Sequence, residues 1–250
     1  MMTRRVLTDW RDQWDEVAVV FANTGEENEA TLEFVRRCDE EFDFGAVWVE
    51  AVFHAGKKGT THRIVDFNTA SRNGEPYLAM VQKYGIPNQN YPHCTRELKH
   101  RPMYSYIRSL GWEPSTYDIA IGIRADETNR VSATAAASRI VYPLVDRLPT
   151  TKPDVNLYWS EQPFRLELMG YEGNCKWCWK KSLRKLLTIM QDNPEKFDFP
   201  ADMEPLYTRV GPEFAKGVAA GYQRMFFRGN VSTSDLRALC AAGGVRPSGG

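Results

Sequence analysis

Cys175 and Cys178 stand three residues apart in EGNCKWCWKKSLRKL, residues 172–186, wrapped in tryptophans and followed by a basic run. A lone Cys-x-x-Cys can be half of a zinc site, part of an iron–sulfur site, or a redox pair. A redox pair opens a helix, whereas MGYEGNC before Cys178 reads as a loop, so ligation fits better. The bland alternative is two buried small apolar residues, and the Gly-Asn turn ahead of the pair weighs against it. The chain has five cysteines and no second Cys-x-x-Cys. Cys38 and Cys240 fall in amphipathic helical patterns and are expected to pack in the core. Cys94 differs: in YPHCTRELK it sits in a polar loop leading into a helix, where the helix N-terminus favours thiolate. Cys94, Cys175 and Cys178 then make a three-thiolate set. On a [4Fe-4S] cluster three thiolates leave one iron open; with His93 the same set closes a Cys3His zinc site.

A second constellation is GIRADETNR, with Gly122, Arg124, Glu127 and Arg130. Two arginines around an acid can grip a phosphate or sulfate, with Glu127 orienting one of them. A surface ion-pair loop is the plainer reading; a place at the end of a parallel strand raises the odds of the other. Lys99, with Arg96 and His100, neighbours Cys94, and Lys180, Lys181, Arg184 and Lys185 follow Cys178. The outer cations read as a solvated helix face. Lys99 and Lys181 are the better candidates, being close in sequence to the cysteines. Trp177 and Trp179 are expected to shield the site from water.

These residues need elements to position them. EVAVVFANTG (16–25) is an apolar run ending in a polar turn, the pattern of a buried parallel strand with a loop at its carboxyl end. ENEATLEFVRRCDEEF repeats apolar residues at helical spacing, and GAVWVEAVF (45–53) reads as another strand. Strand–helix–strand is a βαβ unit, and ligands then sit at the carboxyl ends, near Asn23, Thr24 and Gly25. Residues 54–75 read as an excursion or lid, 76–84 as a short helix, and TRELKHRPMYSYIRSLG as a helix that Pro102 ends or kinks. Asp118–Ile123 reads as a strand and 176–192 as a basic helix. TTKPDVNLYW carries a helix start, with Thr151 as N-cap, Pro153 in the first turn and Asp154 in the capping box.

Composition sets the bounds. The 250 residues, 42% apolar and 26% charged, support a packed core. Lys+Arg and Asp+Glu are both 32, so any phosphate site must be local rather than a global basic character. No apolar run reaches the length of a membrane span, and the N-terminus lacks the apolar stretch of a signal peptide, so a cytoplasmic protein with no membrane partner is expected.

VVFANTGEENEATLEFV resembles the second strand and following helix of the phosphoadenosine-phosphosulfate (PAPS) reductase family, within the adenine nucleotide alpha-hydrolase (PP-loop) group. CTRELK, GIRADETNR and GNCKWCWKKS match further motifs in the same order, and VDFNTASRNGEPY, IVYPLVD and QPFRLEL are similar to the branch common in phage genomes. The resemblance covers residues 1–190; residues 191–250 match loosely and read as a helical C-terminal extension. It implies an α/β fold, a Rossmann-like parallel sheet flanked by helices. It also implies ATP or another adenine nucleotide beside Asn23, Thr24 and Gly25, with Gly122, Arg124, Glu127 and Arg130 toward its phosphates or sulfate. Arg124, Glu127 and Lys99 are the residues it suggests for catalysis. It places a [4Fe-4S] cluster on Cys94, Cys175 and Cys178, with zinc as the alternative, and a reductant protein or a nucleic acid as partner.

Three departures qualify it. His93-Cys94 replaces the family's cysteine pair, and RALCAAGG around Cys240 lacks the acid and histidine that flank the family's attacking cysteine. The family's phosphate loop and the strand before it should precede MMTRRVLTDW, so the sheet is expected to lack its first strand here. Two activities follow: sulfonucleotide reduction, or ATP-dependent thiolation of a nucleic acid. The alternatives are a non-catalytic nucleotide-binding protein with a structural zinc site and, less favoured, a dithiol protein with a reversible Cys175–Cys178 disulfide.

Overall fold

The computed structural model describes residues 1–56, 59–217 and 221–243. The expected βαβ unit forms. β1 (Val20–Asn23) runs into α2 (Glu29–Phe42), which follows a short N-terminal α1 (Met2–Thr8), and the chain returns as β2 (Val47–Phe53), parallel to β1. The strand starts later than the apolar run suggests; only the Val19 carbonyl is engaged before Val20, by the Val47 N–H. The presumed lid contains a strand instead. β3 (Thr60–Val65) pairs antiparallel with β2 and makes it the central strand. Its polar residues Thr60, Thr61, His62 and Arg63, and an Ile64 left exposed, hide the strand from an apolar-pattern reading.

α3 (Glu75–Tyr84) matches the expected short helix. Pro102 neither ends nor sharply breaks the next one. Residues Arg96–His100 form a π-helical turn, in which the Arg101 N–H reaches the Arg96 carbonyl five residues back, and α4 (Arg101–Ser109) continues from it. Widening the turn relieves the clash of a proline ring with the carbonyl four residues earlier, and places Pro102 where α4 needs no N–H from it.

The strand expected over Asp118–Ile123 shortens to β4 (Ile119–Ala120). It pairs in parallel with β5 (Ile140–Val141), in a sheet separate from the first. α5 (Pro143–Asp146) and α6 (Lys152–Ser160) follow; α6 opens with the expected Thr151–Asp154 capping box. The architecture is thus mixed α/β: a three-stranded sheet with one antiparallel edge, a two-stranded parallel pair, and helices. The basic helix also starts later than expected. α7 is Leu183–Asp192, capped by Ser182 Oγ accepting from the Lys185 N–H, so both cysteines of the motif lie in turns ahead of it.

α8 (Asp198–Tyr207) and α9 (Thr233–Ala241) complete the described chain. The main core draws on both sides of residue 190. Tyr77, Met80 and Leu98 pack with Trp177, Leu186, Ile189, Phe197, Phe226 and Leu236. Cys38 is buried in α2, and Cys240 packs against this core from α9, as their helical patterns suggest. Among the described residues no helix is long and apolar enough to cross a membrane.

Candidate three-cysteine site

The polar loop after β1 is stapled to the cysteine turn. Asn28 N–H donates to the Asn174 carbonyl (2.8 Å), Lys176 N–H to the Glu26 carbonyl (2.9 Å), and Asn28 Nδ2 to the Gly173 carbonyl (2.7 Å); Glu27 and Cys175 form an isolated antiparallel bridge. The turn closes on itself through Lys181, whose N–H donates to the Cys178 carbonyl and whose Nζ donates to the Cys175 carbonyl at 2.9 Å. Trp177 and Trp179 are 1% and 4% exposed, as a water shield requires. Trp177 packs edge-on to Tyr77 and Phe226, and its Nε1–H donates to Glu26 Oε2 at 2.5 Å. Burying an indole of this size contributes roughly 4 kcal/mol or more of apolar transfer free energy, which anchors the turn to the core.

Two separate segments, one carrying Cys94 and one carrying Cys175 and Cys178, bring their thiols near the Tyr77 phenol. Cys94, Cys175 and Cys178 all lie within electrostatic reach of the Tyr77 phenol, which burial first and these groups next hold well above its ordinary range. Burial pushes the Cys175 thiol up, with Glu27 adding and Lys99 opposing, and Cys178 and Cys94 both act on it. All three thiols are free. Lys99 reaches the same place from the π turn, pairing with Glu27 Oε1 at 3.3 Å. Burial works against its charge, but Glu27 and the thiols outweigh that and raise its basicity. Lys181 moves the other way, lowered by burial.

The remaining expected residues have other surroundings. His93 Nε2 donates to the Gly85 carbonyl (3.1 Å), and its ring meets Tyr84. Burial, with Arg224 nearby, lowers its pKa to about 4, so it is neutral at pH 7. Among the described residues no three His, Cys, Asp or Glu side chains are gathered closely enough to hold a single metal ion. Asn23, Thr24 and Gly25 are buried. Asn23 Nδ2 donates to Glu50 Oε1 (2.6 Å) and the Ser71 carbonyl (2.8 Å), and Thr24 Oγ1 to Glu27 Oε2 (2.7 Å). Gly25, at φ +81°, lies so close to Gly74 and Pro76 that a Cβ would be crowded on both sides. Outside this loop, an open cleft of about 420 Å³ is lined by Asn28, Glu29, Met169, Tyr171, Glu172 and Lys196.

The second constellation is self-satisfied. Glu127 bridges Arg124 (3.3 Å) and Arg130 (2.6 Å), and Arg124 Nε also donates to Asp126 (2.8 Å). Glu127 thus contacts both arginines, where the spacing suggests that it orients one of them. Gly122 is exposed, and a Cβ there would make only ordinary contact with Met2. This cluster lies between β4 and β5 of the second sheet, and among the described residues its hydrogen bonds and ion pairs do not reach the cysteine turn.

The sequence reading passed over the acids of the site. Glu26, Glu27 and Glu50 are each 3% exposed or less. Glu50 is held by Arg63 (2.5 Å), Ser71 and Asn23. Glu26 is pushed up to about 7, chiefly by burial, with Lys176 and the Trp177 N–H opposing. The signal for the pair was their position, two acids directly after a buried strand.

No protein-family model matches the chain, and no solved structure does. Over 181 residues it is 31% identical to the uncharacterized nin region protein ORF290 of Escherichia phage lambda, a match covering 71% of this chain and 61% of that protein. The chain thus spans about three-fifths of that relative's length. A phage relative agrees with the phage-type character of the motifs.

Proposed function

We propose that the chain is a PAPS-reductase-like protein of the adenine nucleotide alpha-hydrolase group, which uses a cysteine-held iron–sulfur centre for sulfur chemistry on a nucleotide-derived substrate. The observation that carries this reading is the convergence of Cys94, Cys175 and Cys178 from two distant segments onto Tyr77 and Lys99. The donor set suits a cluster. Three free thiols share one electrostatic neighbourhood, and a [4Fe-4S] cluster held by three thiolates leaves one iron open. Cys94, Cys175 and Cys178 would hold it, and its open iron would supply a place to bind or reduce sulfur.

The chain's own residues have definable parts. Lys99 and Lys181 offset thiolate charge, Trp177 and Trp179 exclude water, and the Glu27–Lys99 pair ties the π turn to the loop after β1. The adenine nucleotide belongs at the carboxyl end of β1, where parallel strands place ligands, beside Asn23, Thr24 and Gly25. Arg124, Glu127 and Arg130 form the oriented cationic pair suited to a phosphate or sulfate. The zinc alternative draws less support, because His93 is committed to Gly85.

The test is a direct assay after anaerobic reconstitution with iron and sulfide. PAPS or adenylyl sulfate with a dithiol reductant should yield sulfite, or ATP with sulfide and an oligonucleotide should yield AMP and a thiolated product. Inertness in both assays with a fully loaded centre would sink the enzyme reading and leave the nucleotide-binding, structural-metal alternative.

A further inference from the structure

The chain is neutral overall, with 32 basic and 32 acidic residues, yet one face next to the cysteine turn is not. The helix that runs from the π turn through α4 presents Arg96, His100, Tyr104 and Arg108 at four-residue intervals, all of them exposed. Four-residue steps keep side chains on one slowly drifting stripe. The acid of this helix, Glu97, is turned inward, 1% exposed, and held by Thr60, Arg96 and Arg101. Among the described residues the ion pairs of the region engage Arg96, Arg101 and Lys99, and none engages Arg108 or Lys180. Tyr104 is 40% exposed, its ring 6.2 Å from that of His100.

The stripe leads to the cysteines. His100 is within electrostatic reach of Lys99 and of Lys180, which sits two residues after Cys178. Lys180 Nζ stands 5.4 Å from the Trp179 ring, and its carbonyl accepts from Arg228 Nη2 at 2.9 Å, adding a further cation at that end.

We propose that this stripe is a docking track for single-stranded nucleic acid, delivering a strand to the three-cysteine site. Arg96 and Arg108 at the two ends of the stripe, with Lys180 and Arg228 beside it, offer cations to the phosphates of a phosphodiester backbone. Tyr104, an exposed ring between His100 and Arg108, offers a stacking platform, which only an unpaired base can use. Twelve residues of helix span roughly 18 Å. At about 3.4 Å per phosphate along one strand, that accommodates about five nucleotides. The proposal rests on the functional reading above for what happens to the strand; the docking itself stands on the stripe.

The experiment is fluorescence anisotropy of the full chain with a labelled 15-nucleotide single strand, against the matching duplex and against phosphatidylserine vesicles. Single strand should bind best. With Arg96, Arg108, Lys180 and Arg228 each on a phosphate, log Kd should rise against log salt with a slope of about 2.8. Tyr104→Leu should weaken binding about tenfold with the slope unchanged. Arg108→Gln and Lys180→Gln, both at exposed positions, should each lower the slope by about 0.7. Equal or tighter binding to duplex or vesicles, or no effect of Tyr104→Leu in a variant with native circular dichroism, would overturn it. Cys175→Ala separates the two claims. This variant should dock like the wild type and lose sulfur chemistry; a wild type that docks with a loaded centre yet does no sulfur chemistry indicts only the enzyme reading, and a loaded centre without docking indicts only the track.

Discussion

Glu26→Gln should make the protein more stable at pH 8 and change little at pH 4.5. Glu26 is 2% exposed and fixed by the Trp177 N–H at 2.5 Å. Burial pushes its carboxyl from 4.5 to about 7. A displacement of about 2.5 units corresponds to roughly 3 kcal/mol between the protonated and ionised forms. The folded pKa is the raised one, so this stabilisation is complete below about 4.5, falls as pH climbs, and is gone above about 7. Glutamine still accepts from Trp177 but never ionises, so the variant escapes that loss. Urea unfolding followed by tryptophan fluorescence measures it. With a slope of about 3 kcal/mol per M, the variant's midpoint should exceed the wild type's by about 1 M at pH 8 and by almost nothing at pH 4.5. A gap independent of pH, or one that widens toward acid, would refute the ionising buried carboxyl.

Other consequences follow from the same packing. His93→Ala should keep its metal and lose only about 1 kcal/mol, because the hydrogen bond lost is the one to Gly85; metal loss on elemental analysis would restore His93 as a ligand. Arg224→Met should cost about 3–5 kcal/mol in chemical denaturation. It leaves Glu213 and the Tyr84 and Val210 carbonyls without their buried partner, and an effect below 1 kcal/mol would contradict that. Gly85→Ala should lose about 3 kcal/mol or more, since Gly85 sits at φ +78° with Arg224 and the Val210 carbonyl where a Cβ would go; a wild-type melting profile would show that this packing is wrong.

The parallel β1–α2–β2 unit was legible because apolar runs and helical spacing are local signals that tertiary packing reinforces. β3 was hidden because an edge strand needs only alternate burial, and its residues are largely polar. Pro102 misled for a physical reason: a π turn absorbs the proline that an α-helix would not. The three cysteines were legible as types and spacings, and their convergence needed the fold. The buried acids were not legible, since nothing in Glu26, Glu27 or Glu50 announces that Trp177, Lys99 and Arg63 will come to meet them. The Arg124–Glu127–Arg130 pairing was read from spacing alone, whereas its sheet, separate from the first, depends on a long-range pairing that spacing does not encode.

The most direct test of the central claim is iron and acid-labile sulfide content, with the absorption spectrum, of anaerobically purified wild type beside Cys175→Ala. The account predicts matching iron and sulfide with a broad visible charge-transfer band in the wild type, both lost in the variant. One zinc per chain and no colour, or iron that survives the loss of Cys175, would contradict it.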